Sequence, residues 1–213
     1  MTNDLYNYAP FFERIVMKVF NVCVDENIFI CELRHIFGFV FDDERKSIKV
    51  RGELEIYDRC VKEMQIKHPL FQCKIIICGL KILGKEHVQG QIDDMMEAQT
   101  LEDYKYLISA YDMVNEEDTT PAIQEFANLI MQAQEKKEGD FPCIFHAGES
   151  HFSNNHNLFD ALLLGSKRIG HGFNIALHPK LVEYAINEDI CLEVCPISNF
   201  VLAYTLDLRC HPV

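Results

Sequence analysis

Apolar residues recur along the chain in two alternating rhythms. Short runs that are apolar almost throughout, at 28–33, 73–78, 106–114, 143–145, 168–169 and 191–195, read as strands covered on both faces. Between them, apolar residues return at helical spacing. Over 10–27, Phe12, Ile15, Val16, Val19, Phe20, Cys23 and Val24 share one helix face. Over 53–68, Tyr57, Cys60, Val61 and Met64 do the same, and His68-Pro69 ends that helix. Ile92, Met95 and Met96 give 91–101 a buried side. Thr119-Thr120-Pro121 reads as a capping hydroxyl before a proline at the first helical position, opening a helix that Lys136, Lys137 and Gly139 close. Further helices are expected at 157–164 and 178–188, and an exposed charged loop at 42–49. Strands and helices alternating at this interval build parallel βαβ units with right-handed crossovers, in either an open doubly wound sheet or a barrel. With no repeat and no low-complexity linker, one domain over 1–213 is expected.

Composition narrows the choice of partners. A chain of 213 residues has ample length for one core but falls short of the roughly 250 of a closed eight-stranded barrel. A formal net charge of −13 argues against nucleic acid and does not favour an anionic membrane surface. The apolar runs are too short to span a bilayer, and the N-terminal MTNDLYNYAP lacks the layout of a signal peptide. The nine cysteines form no metal framework: Cys191 and Cys195 stand roughly 13 Å apart along a strand. Cys31, Cys73, Cys78 and Cys143 lie in apolar runs and read as buried thiols.

Three phrases carry candidate chemistry: FHAGES (145–150), RIGHGF (168–173) and CLEVCPISN (191–199). In each, an apolar run ends in polar residues beside glycine or proline, as expected where a strand delivers reactive groups to a rim. On an unbroken strand His146 and Glu149 would face opposite sides, but Ala147-Gly148 lets the chain turn and bring both inward. An imidazole beside a carboxylic acid suits a metal ligand next to a proton donor. His171, between Gly170 and Gly172, can lie close to a ligand and accept a proton from water. Glu32 is placed either to meet a sugar or to pair with Arg34. His151, His156 and His178 read as surface or capping residues.

The phrases HAGE, RIGHG and EVCPISN, in this order, resemble the fifth, sixth and seventh strand motifs of the adenosine deaminase family. CELRHIFG (31–38), AYDMVNEED (110–118) and DLRCHP (207–212) are similar to its secreted, growth-factor-related branch. The resemblance spans nearly the whole chain. It implies an α/β fold: an incomplete TIM (β/α)8-type barrel of six parallel strands, the second to the seventh, with the first and eighth missing. It implies one zinc ion, held by His146, by a His-x-His pair on the first strand and by an aspartate on the eighth; only His146 occurs here. Glu149 would protonate N1 of the purine and His171 would orient and deprotonate the attacking water, turning adenosine or deoxyadenosine into inosine or its deoxy form and ammonia. Asn115 stands where the family has a glycine whose N–H binds the purine, so Asn115 and Glu149 are the expected substrate contacts. After the second strand of this chain, Gly79-Leu80-Lys81 replaces the family's basic or imidazole groups. The resemblance further implies an extracellular location and a homodimer for the intact protein. With one zinc ligand, the chain is expected to be a fragment of negligible activity. Two alternatives accompany this reading: a non-catalytic purine-binding or growth-factor-like relative, and another purine deaminase of the same superfamily, although no basic cluster for a phosphate is evident near the strand ends.

Overall fold

The computed structural model describes residues 3–150 and 155–212, so His151 lies outside the described residues. In chain order the elements are α1 (Asn3–Tyr6), α2 (Ala9–Asp25), β1 (Ile30–His35), α3 (Lys49–Lys67), β2 (Gln72–Leu80), α4 (Gly84–Thr100), β3 (Ile108–Val114), α5 (Ala127–Lys136), β4 (Ile144–Ala147), α6 (Asn157–Leu163), β5 (Arg168–His171), α7 (Pro179–Asn187), β6 (Cys191–Glu193) and α8 (Pro196–Val201). No helix among the described residues is long and apolar enough to cross a membrane. Strands run in two sheets, of order β1-β2-β3 and β4-β5-β6.

The chain divides into two compact units. The first comprises residues 1–78 and 93–109. In it β1 and β2 pair in parallel from Ile30↔Gln72 to His35↔Ile77, the pairing that an intervening helix requires. Helix α2 presents Val16 and Phe20 to the core, where Phe20 stacks against Phe71 with ring centroids 4.9 Å apart. Leu54, Tyr57, Val61 and Met64 form the inner face of α3. Glu53, fully buried on that helix, would be costly to ionise alone; it pairs with His35 and accepts the Gly38 N–H at 2.9 Å. Glu32 accepts a hydrogen bond from the Ser109 hydroxyl.

The second unit comprises residues 79–92 and 110–213. Here β4 and β5 pair from Ile144↔Arg168 to Ala147↔His171, and β5 and β6 from Arg168↔Cys191 to Gly170↔Glu193, all parallel. A bridge between Tyr111 and Cys143 ties β3 to the approach of β4. Its core holds Tyr111, Phe126, Ile130, Phe141, Phe145 and Ile169, each almost wholly buried. Tyr111 also donates its hydroxyl to the Val88 carbonyl, so its one polar atom is satisfied.

Several boundaries differ from those the apolar pattern suggests. Helix α4 begins at Gly84, seven residues early, because its first turn is polar and lies outside the periodic stretch. Helix α3 begins at Lys49, inside the stretch expected to be a charged loop. The capping hydroxyls of Thr119 and Thr120 do not open a helix: both donate to Glu116, Thr120 to its carbonyl at 2.5 Å. The helix starts later, as a short 3-10 turn over Ile123–Phe126 and then α5. His156 and His178 do stand at the starts of α6 and α7, but neither side chain caps the helix.

Candidate active site

β4 ends at Ala147, and Gly148 follows with φ of 70°, a left-handed conformation that costs glycine least. This kink turns Glu149 back toward β5. There His171, the last residue of the strand, adopts φ of 67°, so its side chain leaves the pleat. His171 Nε2 lies 3.3 Å from Glu149 Oε1, and the imidazoles of His146 and His171 have centroids 5.3 Å apart. The structure therefore brings His146, Glu149 and His171 to one place.

Supporting carboxylates fix this arrangement. Asp112, fully buried on β3, accepts the His146 backbone N–H at 2.9 Å and pairs with its ring Nδ1 at 2.6 Å. A carboxylate only accepts, so Nδ1 is the donor in this bond. Glu117 accepts two successive backbone N–H groups, from Gly148 at 2.8 Å and Glu149 at 2.6 Å, and so clamps the kink. Asn174 adds a third brace, its N–H donating to the Gly148 carbonyl at 2.9 Å.

Electrostatics set the protonation of Glu149. Burial is the main cause that raises its pKa above the ordinary 4.5; nearby His146 opposes the shift, while Glu117, Glu116 and Asp118 reinforce it. Lys81, on the turn after β2, is 1% exposed. Desolvation lowers its pKa, against the pull of Glu117, Asp112, Glu116 and Glu149.

Asn115, at the end of β3, has φ of 135°, a strained conformation that asparagine bears better than most residues. Its Oδ1 accepts the Ile82 N–H at 3.2 Å, which commits the side chain to the turn after β2. Beyond the triad, Ser150 donates to Asp118 at 2.6 Å, and the Tyr204 hydroxyl lies 3.5 Å from the same carboxylate. Burial, with Asp118 and Glu149 adding to it, pushes the Tyr204 phenol up to about 12. A cavity of 410 Å³ lies against Glu117, Asp118, Thr119, Thr120, Asn155 and His156. It shares Glu117 with the cluster, but His146, Glu149 and His171 do not line it. The triad's own geometry defines the site.

Asp112, Glu117 and Lys81 are the residues that the sequence reading overlooks. A signal exists for the first: an aspartate inside the apolar run Ala110-Tyr111-Asp112-Met113-Val114 must be buried and must have a partner. Replacing Asp112 with Asn keeps the volume but loses the charge-assisted bond to the ring. Asp112→Asn is expected to destabilise the fold by about 2 kcal/mol, read from urea unfolding.

A metal ion fits this chain poorly. His146 Nε2 is a competent donor, but among the described residues no group of three His, Cys, Asp or Glu side chains is placed to hold a metal. The described residues do not make a zinc site.

Parallel strands joined by helices, with an imidazole–carboxyl cluster at the strand ends, follow the pattern of a (β/α) barrel. An amidohydrolase from Burkholderia ambifaria with bound zinc superposes with a TM-score of 0.79 at 17% identity, covering 98% of this chain and 56% of that one. The fold is thus a partial barrel. The family model for adenosine deaminase matches residues 49–213, and the chain belongs to that family. It is 32% identical over 219 residues to adenosine deaminase 2 of Dictyostelium discoideum, covering 99% of this chain and 39% of that protein. It is 30% identical over 220 residues to adenosine deaminase 2 of Homo sapiens, covering 99% and 42%. The chain spans about two-fifths of the length of these relatives.

Proposed function

We propose that this chain supplies the proton-transfer side of a purine nucleoside deaminase that converts adenosine or deoxyadenosine, with water, into the 6-oxo nucleoside and ammonia. The observation that carries the reading is the 3.3 Å approach of His171 Nε2 to Glu149 Oε1 beside His146. Addition of water at C6 makes the ring nitrogen N1 basic, and a carboxyl whose pKa burial raises is suited to donate there. His171, with its imidazole against that carboxyl, takes the proton of the attacking water. The Asn115 N–H and the Glu149 carboxyl hold the purine edge. His146 is the one residue that fits the family's metal ligands, and no step through a metal follows from the donors in this chain.

The 213 residues alone are accordingly expected to turn over negligible adenosine. The test compares this chain with the same chain fused to first-strand and eighth-strand segments of the Dictyostelium relative, both supplied with zinc. Adenosine, deoxyadenosine, AMP and adenine serve as substrates, and released ammonia is the readout. The proposal expects turnover of the two nucleosides only after fusion. Zinc-dependent turnover by the unfused chain, or a fused enzyme that prefers AMP or adenine, contradicts it. An extracellular setting belongs to the same proposal, and is tested by recovering the intact protein from culture medium.

A further inference from the structure

Ser150 has no exposed surface, and a hydroxyl buried that deeply needs partners. It donates to Asp118 Oδ1 at 2.6 Å and accepts from Asn155 Nδ2 at 3.3 Å. Asp118 is the hub of this network. The same oxygen accepts from Asn155 Nδ2 at 3.2 Å, and Oδ2 faces the Tyr204 hydroxyl at 3.5 Å. One carboxylate therefore holds the segments that follow β4 and α8 to the loop that follows β3. That loop is itself fixed, because Glu116 accepts the N–H groups of Asp118 at 3.0 Å and Thr119 at 2.8 Å.

We propose that Asp118 is a positioning residue for Glu149: by holding the Ser150 hydroxyl it fixes the chain on the far side of Glu149, and with it the approach of the Glu149 carboxyl to His171. The proposal deepens the deaminase reading and rests on it for the role of Glu149.

Consecutive residues do the holding on the two sides of Glu149. Glu117 accepts the N–H groups of Gly148 and Glu149, which sets the peptide entering Glu149. The peptide leaving Glu149 is outside that clamp, and Gly148, at φ of 70°, has no Cβ to resist rotation. Asp118 supplies the missing restraint at Ser150. Because Glu117 and Asp118 are neighbours on one backbone, the two grips move together. Between them the Glu149 carboxyl lies 3.3 Å from His171 Nε2, and a misplacement of about 1 Å at a reacting group can cost roughly a hundredfold in rate. Replacing Ser150 with alanine removes one oxygen and leaves Asp118 with Asn155 and Tyr204 as partners, so the loss falls on placement and not on folding.

The test compares Ser150→Ala, Asp118→Ala, the double variant and Ser150→Thr with the unsubstituted sequence, by amide hydrogen exchange in the 213-residue chain and by kinetics in the fused enzyme. In both single alanine variants the Gly148 and Glu149 amides should exchange at least roughly tenfold faster, while those of Phe145 and Ile169 in the core strands stay unchanged. For adenosine, kcat should fall roughly 10- to 100-fold with KM within about threefold. The double variant should lose no more than the worse single one, since both remove the same restraint. Ser150→Thr keeps the hydroxyl and should restore both readouts; if it fails to fold, the alanine variants decide. Unchanged exchange at Gly148 and Glu149, equal acceleration at Phe145 and Ile169, or an unaltered kcat overturns the proposal. If the unsubstituted fused enzyme releases no ammonia from adenosine, the deaminase reading fails by itself, and the exchange rates alone decide whether Asp118 positions Glu149.

Discussion

Glu149→Gln should lower kcat for adenosine by roughly 10²–10⁴-fold in the fused enzyme, with little change in KM. Glutamine fills the same space and keeps a hydrogen bond to the purine, but it has no acidic proton to give. The side chain is 12% exposed and its backbone N–H is held by Glu117, so the substitution leaves the kink in place and isolates the proton. A loss under tenfold would remove Glu149 from the chemistry. The same carboxyl makes a pH signature. Its folded pKa stands above the ordinary 4.5, so between the two values the folded state binds more protons than the unfolded. Its contribution to stability is therefore lost as pH rises through the window above 4.5, and Glu149→Gln should flatten that slope.

The second large effect falls one residue earlier. A Cβ at Gly148 would lie 2.5 Å from Asn174 Oδ1 and 3.3 Å from its Cγ, and the backbone there has φ of 70°. Both faults act together, because Asn174 is 3% exposed and held by its own N–H bond to the Gly148 carbonyl. Gly148→Ala should cost about 3 kcal/mol in chemical unfolding, the sum of left-handed strain and a forced shift in a packed site. It should also weaken the clamp from Glu117 and so impair turnover beyond what stability explains. Tolerance of alanine there, with full activity in the fused enzyme, would mean that the kink does not position Glu149.

The order of strands and helices is legible in the sequence because burial on two faces forces continuous apolar runs, and burial on one face forces helical spacing. Gly148 and Gly172 mark where strands stop being strands, and this made the meeting of His146, Glu149 and His171 foreseeable. The supports were harder to see. Glu117 clamps Gly148 across a separation of 31 residues, and its phrase Asn115-Glu116-Glu117-Asp118 reads equally well as a solvated acidic loop. Lys81 follows an apolar strand and looks like a surface residue until the fold closes over it. Thr119-Thr120-Pro121 misled because Glu116 took both hydroxyls that would have capped a helix, Thr119 through its carboxylate and Thr120 through its backbone carbonyl. Local pattern records which faces are buried; it does not record which polar groups meet.

Carboxyl-carbon NMR of Glu149 across pH, recorded on the 213-residue chain together with the ring nitrogens of His171, tests the central geometry most directly. The account predicts a Glu149 midpoint above 4.5, a His171 Nε2 signal that shifts over the same interval, and loss of that shift in Glu149→Gln. A Glu149 midpoint at or below 4.5, with His171 unresponsive, would contradict it.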